Sequence, residues 1–203
     1  LTILHLASGS LIGIDFGTEW IEVALVKPRT FEVVLNEQSS RKTPAAVTFS
    51  RNGDLLLGSD AKNLITRQPD SVATGFFGLL GRTWESPIIQ DPAVKPFYSY
   101  KLVNESGRYG FSIDENTVLI PEELAAILLK YLKEFASKAA AMTVKDCVIT
   151  VPPFFNQQQR QAVLDAAKLA GLNVLSLLNQ DAAIGLHFAV ERLFTSAPPS
   201  AAS

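Results

Sequence analysis

One cysteine in 203 residues leaves nothing for an internal disulfide, and with only two histidines no zinc-type ligand set is present. Cys147 lies in the apolar stretch "DCVITV" and reads as a buried thiol rather than a reactive one. Lys and Arg total 18 against 20 Asp and Glu, a net charge of −2. No basic excess marks a nucleic-acid surface, and no charge block marks a solvated tail. No apolar run reaches the roughly 20 residues that cross a bilayer. What remains, at 47% hydrophobic residues, is ample material for a core in one large or two small domains.

The ends read differently from the middle. The chain opens at Leu1 without methionine, which reads as a fragment or a processed product. An apolar run, Leu1 to Leu6, precedes small residues at Ala7 and Gly9, the pattern of a signal-peptide remnant over 1–9. The final stretch "TSAPPSAAS" is too small and proline-rich to pack, so 195–203 is expected to be a disordered tail. Asn104-Glu105-Ser106 is a glycosylation sequon, of consequence only in a secretory compartment.

Three apolar, β-rich runs begin the domain: Leu11–Phe16, Trp20–Val26 and Phe31–Leu35, joined by short turns as in an antiparallel meander. Ala45–Phe49 predicts another strand, and Ser59 to Gly81 a helical pattern interrupted at Pro69 and by glycines. Short strands are expected at Tyr98–Val103, Tyr109–Ile113 and Val118–Ile120. Pro121-Glu122-Glu123 has the chemistry of a helix start, and apolar residues recur at helical spacing to about Met142. "DCVITV" and "NVLSLL" predict buried strands around a helix Gln157–Ala170 capped by Asn156 and closed by Gly171. A last helix is expected over Ala182 to Arg192. The second half is thus helix–strand–helix–strand–helix, the rhythm of parallel pairing. The expected organisation is an α/β core lobe from 10–41 and 121–194, with 42–120 inserted as an α+β subdomain. Its mixed sheet has three antiparallel strands first and flanking helices.

"LIGIDFGTEWIEVAL" poses the functional question, because an aspartate at the end of a buried strand precedes a glycine and a threonine. Read alone, it is either a plain hairpin corner or a phosphate-binding loop. A turn without a side chain at Gly17 lets backbone N–H groups approach phosphate oxygens, Thr18 adds a hydroxyl, and Asp15 can hold Mg²⁺ through water.

The layout with "IDFGT" at its first turn resembles the actin-like ATPase superfamily, with its ribonuclease H-like lobes, which includes actin, sugar kinases and the seventy-kilodalton heat-shock chaperones. "NEQSSRKTPAAVTF", "LLGR" (Leu79–Arg82) and above all "VITVPPFFNQQQRQAVLDAAKLAGLNVLSLLN" (Val148–Asn179) resemble the chaperones. "DFGTEWIEVALVKP" and "FFGLLGR" resemble their large endoplasmic-reticulum branch, the hundred-and-seventy-kilodalton glucose-regulated class.

The resemblance implies ATP or ADP with Mg²⁺ as cofactors, Gly17, Thr18, Glu19 and Trp20 at phosphate-loop positions, and Asp15 at the metal. It also places Phe77 where the family carries an essential lysine, and Gln180 where it carries a glutamate. An amide cannot act as a base, and no lysine occurs between Lys62 and Lys95, so binding is expected without efficient hydrolysis. Asp181, beside Gln180, can compensate in part. Pro152 is either a strand terminator or the family's coupling proline, and Arg160 either a solvated helix arginine or part of a docking surface. Phe76, Phe77, Trp84, Phe154 and Phe155 are expected to be packing residues, since no basic residues interleave them.

Three readings follow. The first is the N-terminal lobe of the ATP-binding domain of a chaperone in the endoplasmic-reticulum lumen. Its partners would be unfolded clients and a heat-shock chaperone whose nucleotide exchange it promotes, with no nucleic acid and no membrane span. The second is an active ATP-hydrolysing chaperone or sugar kinase of the superfamily. The third is an interaction module that binds no nucleotide.

Overall fold

The computed structural model describes residues 10–27, 30–50, 52–87, 100–113 and 117–195. The expected signal-peptide remnant lies outside them, as do residues 196–203 of the expected tail.

Alternation of apolar residues builds the main sheet. In β1 (Ser10–Phe16), Ile12, Ile14 and Phe16 are buried, while Asp15 faces out from the other side. β2 (Trp20–Lys27) buries Ile21, Val23 and Leu25 and pairs antiparallel with β1, setting Ile14 against Val23. β3 (Thr30–Val33) and β4 (Lys42–Pro44) both pair antiparallel with β2. The opening meander is therefore present as the sequence predicts.

The chain then makes two small sheets. β5 (Ala46–Phe49) lies between β6 (Leu55–Leu57) and β7 (Ala73–Thr74), and β9 (Arg108–Ser112) between β8 (Leu102–Glu105) and β10 (Val118–Leu119). Here the helix expected over Ser59 to Gly81 is mostly overturned. Only α1 (Gly58–Lys62) is α-helical; two 3₁₀ turns, Pro69–Ser71 and Phe76–Leu79, flank β7. Pro69 has no N–H to extend a helix, and Gly75 and Gly81 take the left-handed conformation, with φ 68° and 65°.

The chain returns to the core through α2 (Pro121–Ala140), whose N-terminus is closed by the Glu123 carboxylate accepting the Ile120 N–H at 2.9 Å. Its buried stripe, Leu124, Leu128 and Leu132, enters the core shared with the sheet. β11 (Val144–Val151) runs parallel to β1, and β12 (Asn173–Asn179) parallel to β11, giving the order β12-β11-β1-β2-β3 with β4 also on β2. α3 (Gln157–Leu169) connects them. At its start Asn156 Oδ1 accepts the Gln159 N–H at 2.9 Å, and Gln159 Oε1 accepts the Asn156 N–H at 3.2 Å. At its end Gly171 is left-handed, and Lys133 from α2 donates to the Ala170 and Gly171 carbonyls.

β12 corrects one expectation: it is an edge strand, half exposed, with Leu175 57% accessible. α4 (Gln180–Thr195) follows it directly and leaves Ile184, Leu186 and Phe188 exposed. Phe154 corrects another, being 76% exposed where packing was expected, while its neighbour Phe155 is buried.

Cys147 is fully buried in β11, and burial, with Asp146 adjacent, pushes its thiol up to about 12. Because folding favours the protonated form, this contribution to stability is complete below the ordinary thiol range near pH ~8.5. It is lost as pH rises from there toward about 12. Iodoacetamide at pH 8 is expected to label Cys147 only after denaturation, as read by mass spectrometry. Fast labelling of the native protein would contradict this.

Candidate functional site

β1, β11 and β12 are neighbours running in one direction, so their carboxyl ends, at Phe16, Val151 and Asn179, form a single edge. Ligands of open α/β sheets collect beyond that edge. Most sequence-predicted residues follow from it: Gly17–Trp20 after β1, Pro152 after β11, Gln180 after β12.

Asp15 sits one residue short of the edge on the open face. Thr150 of β11 donates its hydroxyl to Asp15 Oδ1 at 2.5 Å, fixing the carboxylate while leaving it exposed. Such a fixed, wet carboxylate suits a water-mediated Mg²⁺ contact. Thr150 was missed in the sequence, because only the parallel register of β11 on β1 brings it to Asp15.

The turn after β1 is closed by the Gly17 N–H donating to the Trp20 carbonyl at 3.1 Å. A Cβ on Gly17 would stand 2.6 Å from that oxygen, so the turn requires glycine for close approach. The Gly17 amide is thereby committed to the turn. Those of Thr18 and Glu19 have no acceptor among the described residues. The loop is anchored by the Ala45 N–H donating to the Glu19 carbonyl at 2.8 Å. Beside it is a cavity of about 370 Å³ whose lining includes Thr18, Glu19, Lys62, Thr74 and Gly75. Trp20 is part exposed, and the Lys62 ammonium lies 4.0 Å from its ring centroid.

Phe77 is 2% exposed, its ring 4.8 Å from that of Phe16 and 5.1 Å from that of Phe155. The position that the resemblance assigns to a lysine is thus an aromatic plug directly behind the loop. Gln180 opens α4, half buried, and the exposed Asp181 uses its Oδ1 to accept the Ala182 N–H at 2.8 Å.

Pro152 is buried, and its carbonyl accepts the Phe155 N–H at 3.1 Å. Arg160 is not a solvated helix arginine. It is half buried, donating from Nε to the Phe155 carbonyl at 3.0 Å and from Nη2 to Asn179 Oδ1 at 2.8 Å. It ties the segment after β11 to the end of β12. Among the described residues no three His, Cys, Asp or Glu gather as a metal cluster, and no helix is long and apolar enough to cross a membrane.

A mixed sheet opening with an antiparallel hairpin, whose glycine turn meets the carboxyl edge of parallel strands, defines a lobe of the actin-like ATPase fold. The family model described as Hsp70 protein matches residues 11–193, and the chain belongs to the Hsp70 family. It is similar to hypoxia up-regulated protein 1 of Xenopus laevis, 40% identical over 191 residues, covering 93% of this chain and 29% of that protein. Proteins of the same name from Xenopus tropicalis and Danio rerio are both 38% identical over 188 residues, 91% of this chain, covering 29% and 19% of their lengths. The chain thus spans less than a third of the curated relatives it matches.

Proposed function

We propose that this chain is the N-terminal lobe of the ATP-binding domain of an endoplasmic-reticulum chaperone, in which nucleotide acts chiefly as a conformational ligand. The observation that carries the reading is the pairing of a phosphate-type loop with an aromatic plug at Phe77. The Thr18 and Glu19 amides and the Thr18 hydroxyl would hold phosphate, and Asp15 would orient the hydration shell of Mg²⁺. The metal, when bound, neutralises phosphate charge. With phenylalanine at 77 and an amide at 180, the site lacks the cation and the base that hydrolysis calls for. Binding energy is then spent on choosing a conformation, by differential affinity for two arrangements of the complete domain.

The address in the endoplasmic-reticulum lumen is supported by the resemblance of "DFGTEWIEVALVKP" and "FFGLLGR" to the endoplasmic-reticulum branch and by the Asn104 sequon. Asn104, near the end of β8, and Ser106, in the turn to β9, are both exposed. Unfolded clients, and a heat-shock chaperone whose nucleotide exchange is promoted, would engage the complete protein. Pro152 and Arg160, which brace the strand ends against the next elements, would carry the coupling between nucleotide and the rest of the molecule.

The complete polypeptide is expected to bind ATP with Mg²⁺ in calorimetry and to turn it over far more slowly than ordinary members of the family. The 203-residue chain alone should bind weakly or undetectably, because it offers one wall of the site. Turnover at an ordinary family rate would favour an active enzyme. Failure of the complete protein to bind any nucleotide would leave an interaction module.

A further inference from the structure

The resemblance puts the family's lysine at Phe77, and the fold presents another cation at the cavity beside the phosphate loop. Lys62, the last residue of α1, and Gly75, two residues before Phe77, both line the space of about 370 Å³ beside Thr18 and Glu19. The Lys62 ammonium is held 4.0 Å from the centroid of Trp20, itself the last loop residue. A cation over an aromatic face keeps its full charge. Among the described residues Lys62 also has no carboxylate within ion-pair distance, although Glu19 lines the same cavity.

We propose that Lys62 is the phosphate-binding cation of this site, taking over charge neutralisation from the position now filled by Phe77. The inference rests on the nucleotide reading above and assigns it a residue. A phosphate chain on the Thr18 and Glu19 amides carries several negative charges, and a lysine acts on them as a mobile point charge. Trp20 is the guide: it restricts the ammonium to the loop side of the cavity before any ligand arrives. Neutralisation from this side supports binding without serving the hydrolytic step, which needs its cation aimed at the transferring phosphoryl group.

The test uses the complete polypeptide and calorimetry with ATP, ADP and adenosine. Lys62→Met keeps an unbranched apolar side chain and removes the charge. It is expected to weaken ATP about tenfold or more, to weaken ADP less, and to leave adenosine unchanged. Lys62→Arg should restore most of the ATP affinity, and the unfolding midpoint of Lys62→Met without nucleotide should match the parent. Equal ATP affinity for Lys62→Met and the parent overturns the proposal while the nucleotide reading stands. So does an equal loss for ATP and adenosine, which would mark Lys62 as a structural pin. A parent protein that binds no ATP overturns both.

Discussion

Lysine in place of Phe77 is expected to lower the unfolding free energy by about 3–5 kcal/mol, and not to awaken hydrolysis. The Phe77 ring is 2% exposed, between Phe16 at the end of β1 and Phe155 just beyond β11. Removing it opens a void between two elements that set the edge of the sheet. A lysine stem refills only part of that void, and its ammonium must either shed water or pull the 3₁₀ turn Phe76–Leu79 outward to keep it. Denaturant titration should show a lower midpoint with an unchanged slope. Turnover of the complete protein should stay flat, because Gln180 is still an amide. A Phe77→Lys protein of parental stability that gained turnover would mean the aromatic cluster is loose and that Phe77 alone suppresses the reaction.

An equally large loss, about 3–6 kcal/mol, is expected from Gly81→Ala. Gly81 has φ 65°, and a Cβ there would lie 2.6 Å from the Gln158 carbonyl oxygen and 2.8 Å from Gln159 Cα. All of these are backbone atoms of the first turn of α3, which cannot swing aside as a side chain can. The Gly81 N–H also donates to Glu122 Oε1 at 3.0 Å. Glu122 is 6% exposed; among the described residues its Oε2 has no hydrogen bond and lies 3.8 Å from the Arg108 guanidinium. Displacing Gly81 would leave a buried carboxylate without this amide. Gly53→Ala is the control: φ is 84°, but no atom of the described residues beyond its chain neighbours lies within 4 Å of the added carbon. It should cost only about 1 kcal/mol of backbone strain. Similar losses at the two positions would show that conformation, not collision, decides Gly81.

The elements legible in the sequence were those whose signal is local and repeated. Ile12, Ile14 and Phe16 alternate with smaller or polar residues, and Ile21, Val23 and Leu25 do the same, so both strands and their inward faces were readable. Asn156 and Gln159 cap each other across three residues, and Gly171 ends the same helix, so its limits were readable too. From Ser59 to Gly81 the apolar spacing suggested a helix, but short contacts with other segments prevailed. The Tyr100 hydroxyl donates to the Thr74 carbonyl, and Ala46 and Val47 of β5 pair with Thr74 and Ala73. Phe154 and Phe155 are chemically alike, and only the turn after Pro152 exposes one and buries the other.

The sequence by itself determined the family, the sheet's opening hairpin, and the aspartate and glycine of its turn. These depend on residue identity and on spacings of a few positions, which a chain carries before it folds. Only the tertiary structure decided the pairs Thr150 with Asp15, Arg160 with Asn179, Lys62 with Trp20, and Gly81 with Glu122. Each joins segments 19 or more residues apart, at distances set by strand register and helix packing. Register is a collective outcome of burying one face of the whole sheet, so no local pattern encodes which distant side chain will stand beside Asp15.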